Sequence, residues 1–178
     1  AALLLPACSV TPAPQSETRS VTDDSGRTLS VPTHPKRIVS LTYGTDEILT
    51  ALVSTDRIAS YSKYAGDDGI SFLTKDEVTK VGQKVDMEPE HILALAPDLV
   101  IASTSTPMQM VEVLTRSGVP VYVSAIPTTV EEMREKVRGV AKAVHEEEKG
   151  EALVSDMESK LATLASKLSV VSPDKERV

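Results

Sequence analysis

The sequence has no tryptophan and a single phenylalanine, Phe72, beside four tyrosines. So small an aromatic supply argues against a large aromatic-lined pocket and against a platform on which nucleic-acid bases stack. Basic residues are outnumbered by acidic ones, 19 to 26, and the net charge of -7 leaves no basic footprint for DNA or RNA. No apolar run reaches the ~18 residues that would suggest a membrane-spanning helix. Phosphate-cradling glycine loops are missing too: there is no Walker loop and no GxGxxG after a strand. Neither a Ser-His-Asp set nor paired loop carboxylates occur, so a non-enzyme is expected. The three histidines, His34, His91 and His145, are scattered and lack the spacing of a zinc or manganese ligand set. No resident cofactor or metal is expected.

What is present divides into three parts. Residues 1–20 hold the only cysteine, Cys8, after the apolar run Leu3-Leu4-Leu5-Pro6-Ala7. Leu5-Pro6-Ala7-Cys8 resembles a bacterial lipobox, in which the cysteine becomes the lipidated N-terminus. The chain is therefore expected to begin inside a signal peptide. Residues 9–20 are rich in proline, serine and threonine and read as a flexible tether. Residues 21–145 read as one α/β lobe, which the 178-residue length easily accommodates. Residues 146–178 read as a long helix and a short stub after it.

Within the lobe, residues 21–31 suggest a hairpin turning at Asp24-Ser25-Gly26. Buried-strand runs are expected at 38–41, 57–61, 99–102 and 121–123, with a short one at Lys80-Val81-Gly82. Helices are expected at 46–53, capped by Thr45, at 89–96, and from Pro107, capped by Thr106, to Gly118. Strand and helix alternate through short links, the pattern of a parallel sheet with helices on both faces. From Thr129 onward the pattern is helical, with a break expected near Glu146-Glu147-Glu148. The second helix carries the stripe Leu153, Met157, Leu161, Leu164 and Leu168.

The run Val21-Thr22-Asp23-Asp24-Ser25-Gly26, then Val31-Pro32 and Pro35-Lys36-Arg37-Ile38-Val39-Ser40-Leu41, resembles the opening of class III solute-binding proteins of ABC importers. Glu90-His91-Ile92-Leu93-Ala94-Leu95-Ala96-Pro97-Asp98-Leu99-Val100-Ile101 is similar to that family's most recognisable internal segment, and Gly118-Val119-Pro120-Val121 continues the match in order. The resemblance covers roughly residues 21–178. It implies an extracytoplasmic, lipid-anchored receptor of two α/β lobes joined by one rigid helix. Its ligand would be a small-molecule metal chelate, an iron-siderophore first, then haem or cobalamin, delivered to a membrane permease. It also implies that this chain holds the first lobe and the inter-lobe helix, with the second lobe absent. Glu90 takes the position at which the family docks onto basic residues of the permease.

The C-terminal ends of parallel strands form the usual binding edge of such a sheet. The loop residues expected there are Tyr43 and Gly44, Tyr64, Lys84, and Thr104 with Ser105. A tyrosine supplies a hard oxygen for ferric iron or an axial ligand for haem, or packs and hydrogen-bonds at the rim. Lys84 and Lys63 suit anionic groups. Two other readings are a Rossmann-like nucleotide-binding enzyme domain, against which the lone Gly44 argues, and a non-transporting interaction module. Self-association is expected through the terminal helix, because its apolar stripe exceeds what one lobe covers.

Overall fold

The computed structural model describes residues 17–171; Cys8 with the lipobox-like run, and the stub after residue 171, lie outside the described residues. The chain opens with β1 (Thr18–Thr22) and β2 (Thr28–Pro32), an antiparallel hairpin pairing Thr18 with Pro32 and Thr22 with Thr28. Five strands follow: β3 (Ile38–Ser40), β4 (Ile58–Ser62), β5 (Lys84–Val85), β6 (Leu99–Ser103) and β7 (Val121–Ser124). They form a parallel sheet in the order β5-β4-β3-β6-β7. The helices are α1 (Tyr43–Leu52), α2 (Lys75–Val81), α3 (Pro89–Ala94), α4 (Met108–Arg116), α5 (Val130–Val144) and α6 (Glu147–Val171).

Both sheet faces are covered, as the near-continuous apolar strands require. Ile38, Leu99 and Ile101 point into one core with Leu49, Tyr61, Val140 and Val154. Their neighbours Val39, Val100 and Ala102 point into a second core with Ile92, Val111 and Leu114. The strand sequence runs outward from β3 to β5, then returns to start again at β6. The order therefore reverses between β3 and β6, the place where an open α/β sheet leaves a crevice at its C-terminal edge.

Five sequence expectations are corrected. Tyr43 and Gly44 are not in a loop; they are the first residues of α1, whose N-cap position is Thr42 rather than Thr45. The apolar periodicity starts only at Ile48, so the polar first turn was invisible to it. Lys80, Val81 and Gly82 are not a strand. They close α2, with Gly82 at φ 74° in the left-handed region that ends a helix, and the strand begins two residues later at Lys84. Lys84 is therefore not in a loop but is the first residue of β5. In α4 the cap shifts by one residue, to Pro107.

The terminal helices break where the acidic cluster suggested. His145 adopts φ 59° between α5 and α6, and Glu146 pairs with Arg57 from the lobe. The 25 residues of α6 extend ~38 Å at 1.5 Å per residue. Its first half lies on α5, with Val154 buried and Arg138 and Arg134 of α5 pairing with Glu151 and Glu158.

Candidate functional site

A concavity of about 450 Å³ opens at the C-terminal edge of the sheet, across the β3/β6 reversal. The link after β3 contributes Leu41 and Thr42, and the first residues of α1 contribute Tyr43 and Gly44; Ser103 at the end of β6 and Ser105 in the turn after it join them. Tyr64 enters from the loop after β4, and Met87 from the link between β5 and α3. Ile126, Pro127, Met133 and Lys136 close the far wall, while Glu47 and Ile48 of α1 line the near one. A mostly apolar wall with a few convergent polar groups is the ordinary make-up of a small-molecule site.

The first turn of α1 is fixed from below. Asp46 is fully buried and accepts from the Ser62 amide at 3.0 Å and the Ser62 hydroxyl at 2.6 Å. This clamp ties the start of α1 to the end of β4, and so sets Tyr43 against Tyr64. Their rings meet edge to face at 89°, centroids 6.5 Å apart. Tyr43 is half exposed at the rim, and the Lys63 ammonium lies 5.0 Å above the Tyr64 ring. Opposite them, the Ser103 and Ser105 hydroxyls are 2.7 Å apart.

Of the six loop residues expected to bind ligand, four line this concavity: Tyr43, Gly44, Tyr64 and Ser105. The other two are placed differently. Lys84 turns its ammonium onto the Ala65 carbonyl at 2.8 Å, with Asp67 at 3.8 Å, and so ties down the loop after β4. Thr104 is exposed beside the pocket, its amide donating to Ser124 at 3.0 Å. Glu90 is exposed in the first turn of α3 and has no ion-pair partner among the described residues. His91 pairs instead with Asp86 at 2.9 Å, and that carboxylate raises the imidazole pKa. His34 and His145 stack at 5.0 Å near the opposite end of the strands. Among the described residues no three His, Cys, Asp or Glu side chains cluster as a metal site.

Lys136 and Met133 were missed by the sequence reading. Met133 was legible only as a member of the apolar stripe of α5, and only the packing of α5 on β7 turns Lys136 inward. Its ammonium donates to the Ala125 carbonyl at 3.1 Å. Ala125 is itself held by the hairpin turn: Asp24 accepts from the Ala125 amide at 2.8 Å and from the Tyr122 hydroxyl at 2.9 Å. Burial pushes the Lys136 pKa down, against an opposing pull from Asp24.

A sequence model of periplasmic binding proteins matches residues 38–178, most of the chain and all of the pocket. The chain belongs to the periplasmic binding protein family. It is 27% identical over 155 residues to the probable siderophore-binding lipoprotein YfiY of Bacillus subtilis, covering 86% of this chain and 46% of that protein. With the vitamin B12-binding protein of Vibrio parahaemolyticus it shares 29% identity over 139 residues, covering 74% and 46%. The fold is similar to part of the molybdate-binding protein MolA of Haemophilus influenzae, with a TM-score of 0.71, 23% identity, and coverage of 88% of this chain and 56% of that one. The chain thus spans about half the length of the curated relatives it matches. Within the family it is of the class III type named above.

Proposed function

We propose that this chain is the ligand-capturing part of an ABC importer, working outside the membrane, and that the concavity at the β3/β6 reversal is one wall of its binding cleft. The observation that carries the reading is the convergence of Tyr43, Tyr64 and Ser105 on one apolar-walled site at the switch point of the sheet. Relatives named for siderophore and vitamin B12 binding support a small metal chelate as the ligand class, beside one named for molybdate. An iron-siderophore is the first choice, because two tyrosine hydroxyls and a serine pair offer hard oxygen contacts to a ferric complex or its chelating groups. Haem and cobalamin follow. A nucleotide-binding enzyme is disfavoured: the turn after β3 offers one glycine and a tyrosine where a phosphate would need an open backbone cradle. Cys8 would carry the lipid anchor, as relatives named lipoproteins suggest, and Glu90 would meet a basic residue of the permease.

Titration calorimetry with a ferric hydroxamate, haemin and cobalamin tests the pocket directly. Binding is expected for at least one of the three. Tyr43→Ala with Tyr64→Ala should weaken it at least tenfold, about 1.4 kcal/mol. Binding unchanged by the double substitution would place the site elsewhere.

A further inference from the structure

Lys136 is 6% exposed, yet the ion pairs among the described residues do not include it. Its one hydrogen bond runs to the Ala125 carbonyl at 3.1 Å, and an ammonium has three donors. Asp24 favours the cation through its charge but makes no ion pair with it, its two oxygens accepting from the Tyr122 hydroxyl and the Ala125 amide. Glu47 lines the same pocket but accepts from the Phe72 amide at 3.0 Å and forms no ion pair with Lys136. Lys136 shares its stretch of pocket wall with the apolar Ile126, Pro127 and Met133. Burying a cation in such surroundings is costly unless an anion meets it. A tether to Ala125 alone does not require a positive charge, since a neutral amide donor would serve.

We propose that Lys136 reads the charge of the ligand: its ammonium receives an anionic oxygen of the bound molecule, so the pocket selects anionic chelates over neutral or cationic ones of the same size. This rests on the pocket being the ligand cleft, as argued above. A lysine suits the task, because it is a point charge on a flexible stem that adapts to carboxylate, phosphate or catecholate oxygens without the fixed fork of an arginine. Low local polarity makes the contact stronger than the same pair at the surface.

The test compares two ferric complexes of similar size: a tris-catecholate, which is trianionic, and a tris-hydroxamate with no net negative charge. Affinities are measured by calorimetry for the wild-type chain, Lys136→Met and Lys136→Gln. The methionine keeps the apolar stem; the glutamine keeps a donor for Ala125, and it carries the test if the methionine variant does not fold. The expected result is tighter binding of the tris-catecholate by wild type, with a loss of at least tenfold in both variants. The tris-hydroxamate should stay within threefold. Equal losses for both complexes would make Lys136 a structural tether, and no loss for either would make it a bystander. Either result, or wild type binding the tris-hydroxamate alone, overturns this inference while leaving the pocket in place. Wild type binding neither complex overturns the inference and the iron-chelate reading together.

Discussion

Asp46 shows how one side chain sets both the site and its pH response. The clamp on Ser62 holds α1 in register with β4, and burial pushes the carboxyl up to about 6 from an ordinary 3.8. An acid with a raised native pKa makes the folded state hold more protons than the unfolded one between those values. Its stabilising contribution is therefore complete below about pH 4 and is lost as pH rises through about 6. A displacement of this size corresponds to about 3 kcal/mol. Asp46→Asn keeps an acceptor for the Ser62 amide without the charge, so it should be more stable than wild type at pH 7, the gap closing toward pH 4. Urea unfolding followed by circular dichroism checks this. The difference between the two proteins isolates Asp46 from Asp23 and Glu146, which burial pushes up but hydrogen bonds pull down further, so that they act in the opposite sense. At this scale the sequence was readable where the chain leaves the end of a strand, as at Tyr64 and Ser105, and at Tyr43 for its place beside the strand end but not for its helix. Lys136 was not readable. On an amphipathic helix every lysine looks solvated until the partner surface is known, and here that surface is the end of β7 with the Ala125 carbonyl, a residue held in turn by Asp24 of the distant hairpin.

The elements were legible wherever two signals agreed. Strands β3, β6 and β7 are apolar runs with breakers on each side, and α5 carries a clean stripe; each was read to within about two residues. Helix α2 was missed although its signal was present. Thr74 and Glu77 form a reciprocal cap, the Thr74 amide donating to the Glu77 carboxylate at 2.7 Å, and Val78 and Val81 follow at helical spacing. Val81 was read as a strand former because the cap seven residues before it, at Thr74, was not weighed. Thr74→Ala should cost about 1 kcal/mol, visible as faster amide exchange in residues 75–81. In α5, Gly139 is a helix-interior glycine, where alanine would ordinarily gain up to about 1 kcal/mol. Here a Cβ would lie 2.4 Å from the Tyr122 hydroxyl and 3.2 Å from an Asp24 oxygen. Gly139→Ala is therefore expected to destabilise by about 1–3 kcal/mol. Tyr122→Phe, which removes the clashing oxygen, should recover part of that loss; thermal melts of the four proteins of the cycle decide it.

Over the whole molecule, apolar cover runs out along α6. Val154 is buried, but Leu161, Leu164 and Leu168 are 37%, 55% and 67% exposed on one stripe. Each leucine is worth ~1.5–3 kcal/mol when fully buried. The 178-residue chain is expected to associate with a second copy through this stripe at micromolar concentration, and Leu164→Glu with Leu168→Glu should return it to monomer in sedimentation. A wild-type chain that stays monomeric at high micromolar concentration contradicts the expectation. Glu90, at the exposed start of α3, belongs to the same scale. In a transport-competent full-length protein Glu90→Arg should reduce uptake while ligand affinity stays within about threefold, under roughly 0.7 kcal/mol. One feature of the hairpin reaches beyond the pocket it steadies. Along the outer side of β7, the Val121 carbonyl accepts from Arg27, the Val123 amide donates to Asp23, and the Val123 carbonyl accepts from the Asp24 amide. A strand at the end of a sheet normally offers such groups to any passing chain and so seeds aggregation. Here the acidic turn has already consumed them, while the opposite edge, β5, is only two residues long. Among the described residues the sheet thus has no long open border on which a fibril could start, and Asp23→Ala, by freeing the Val123 amide, should raise thioflavin T fluorescence on prolonged incubation above that of wild type.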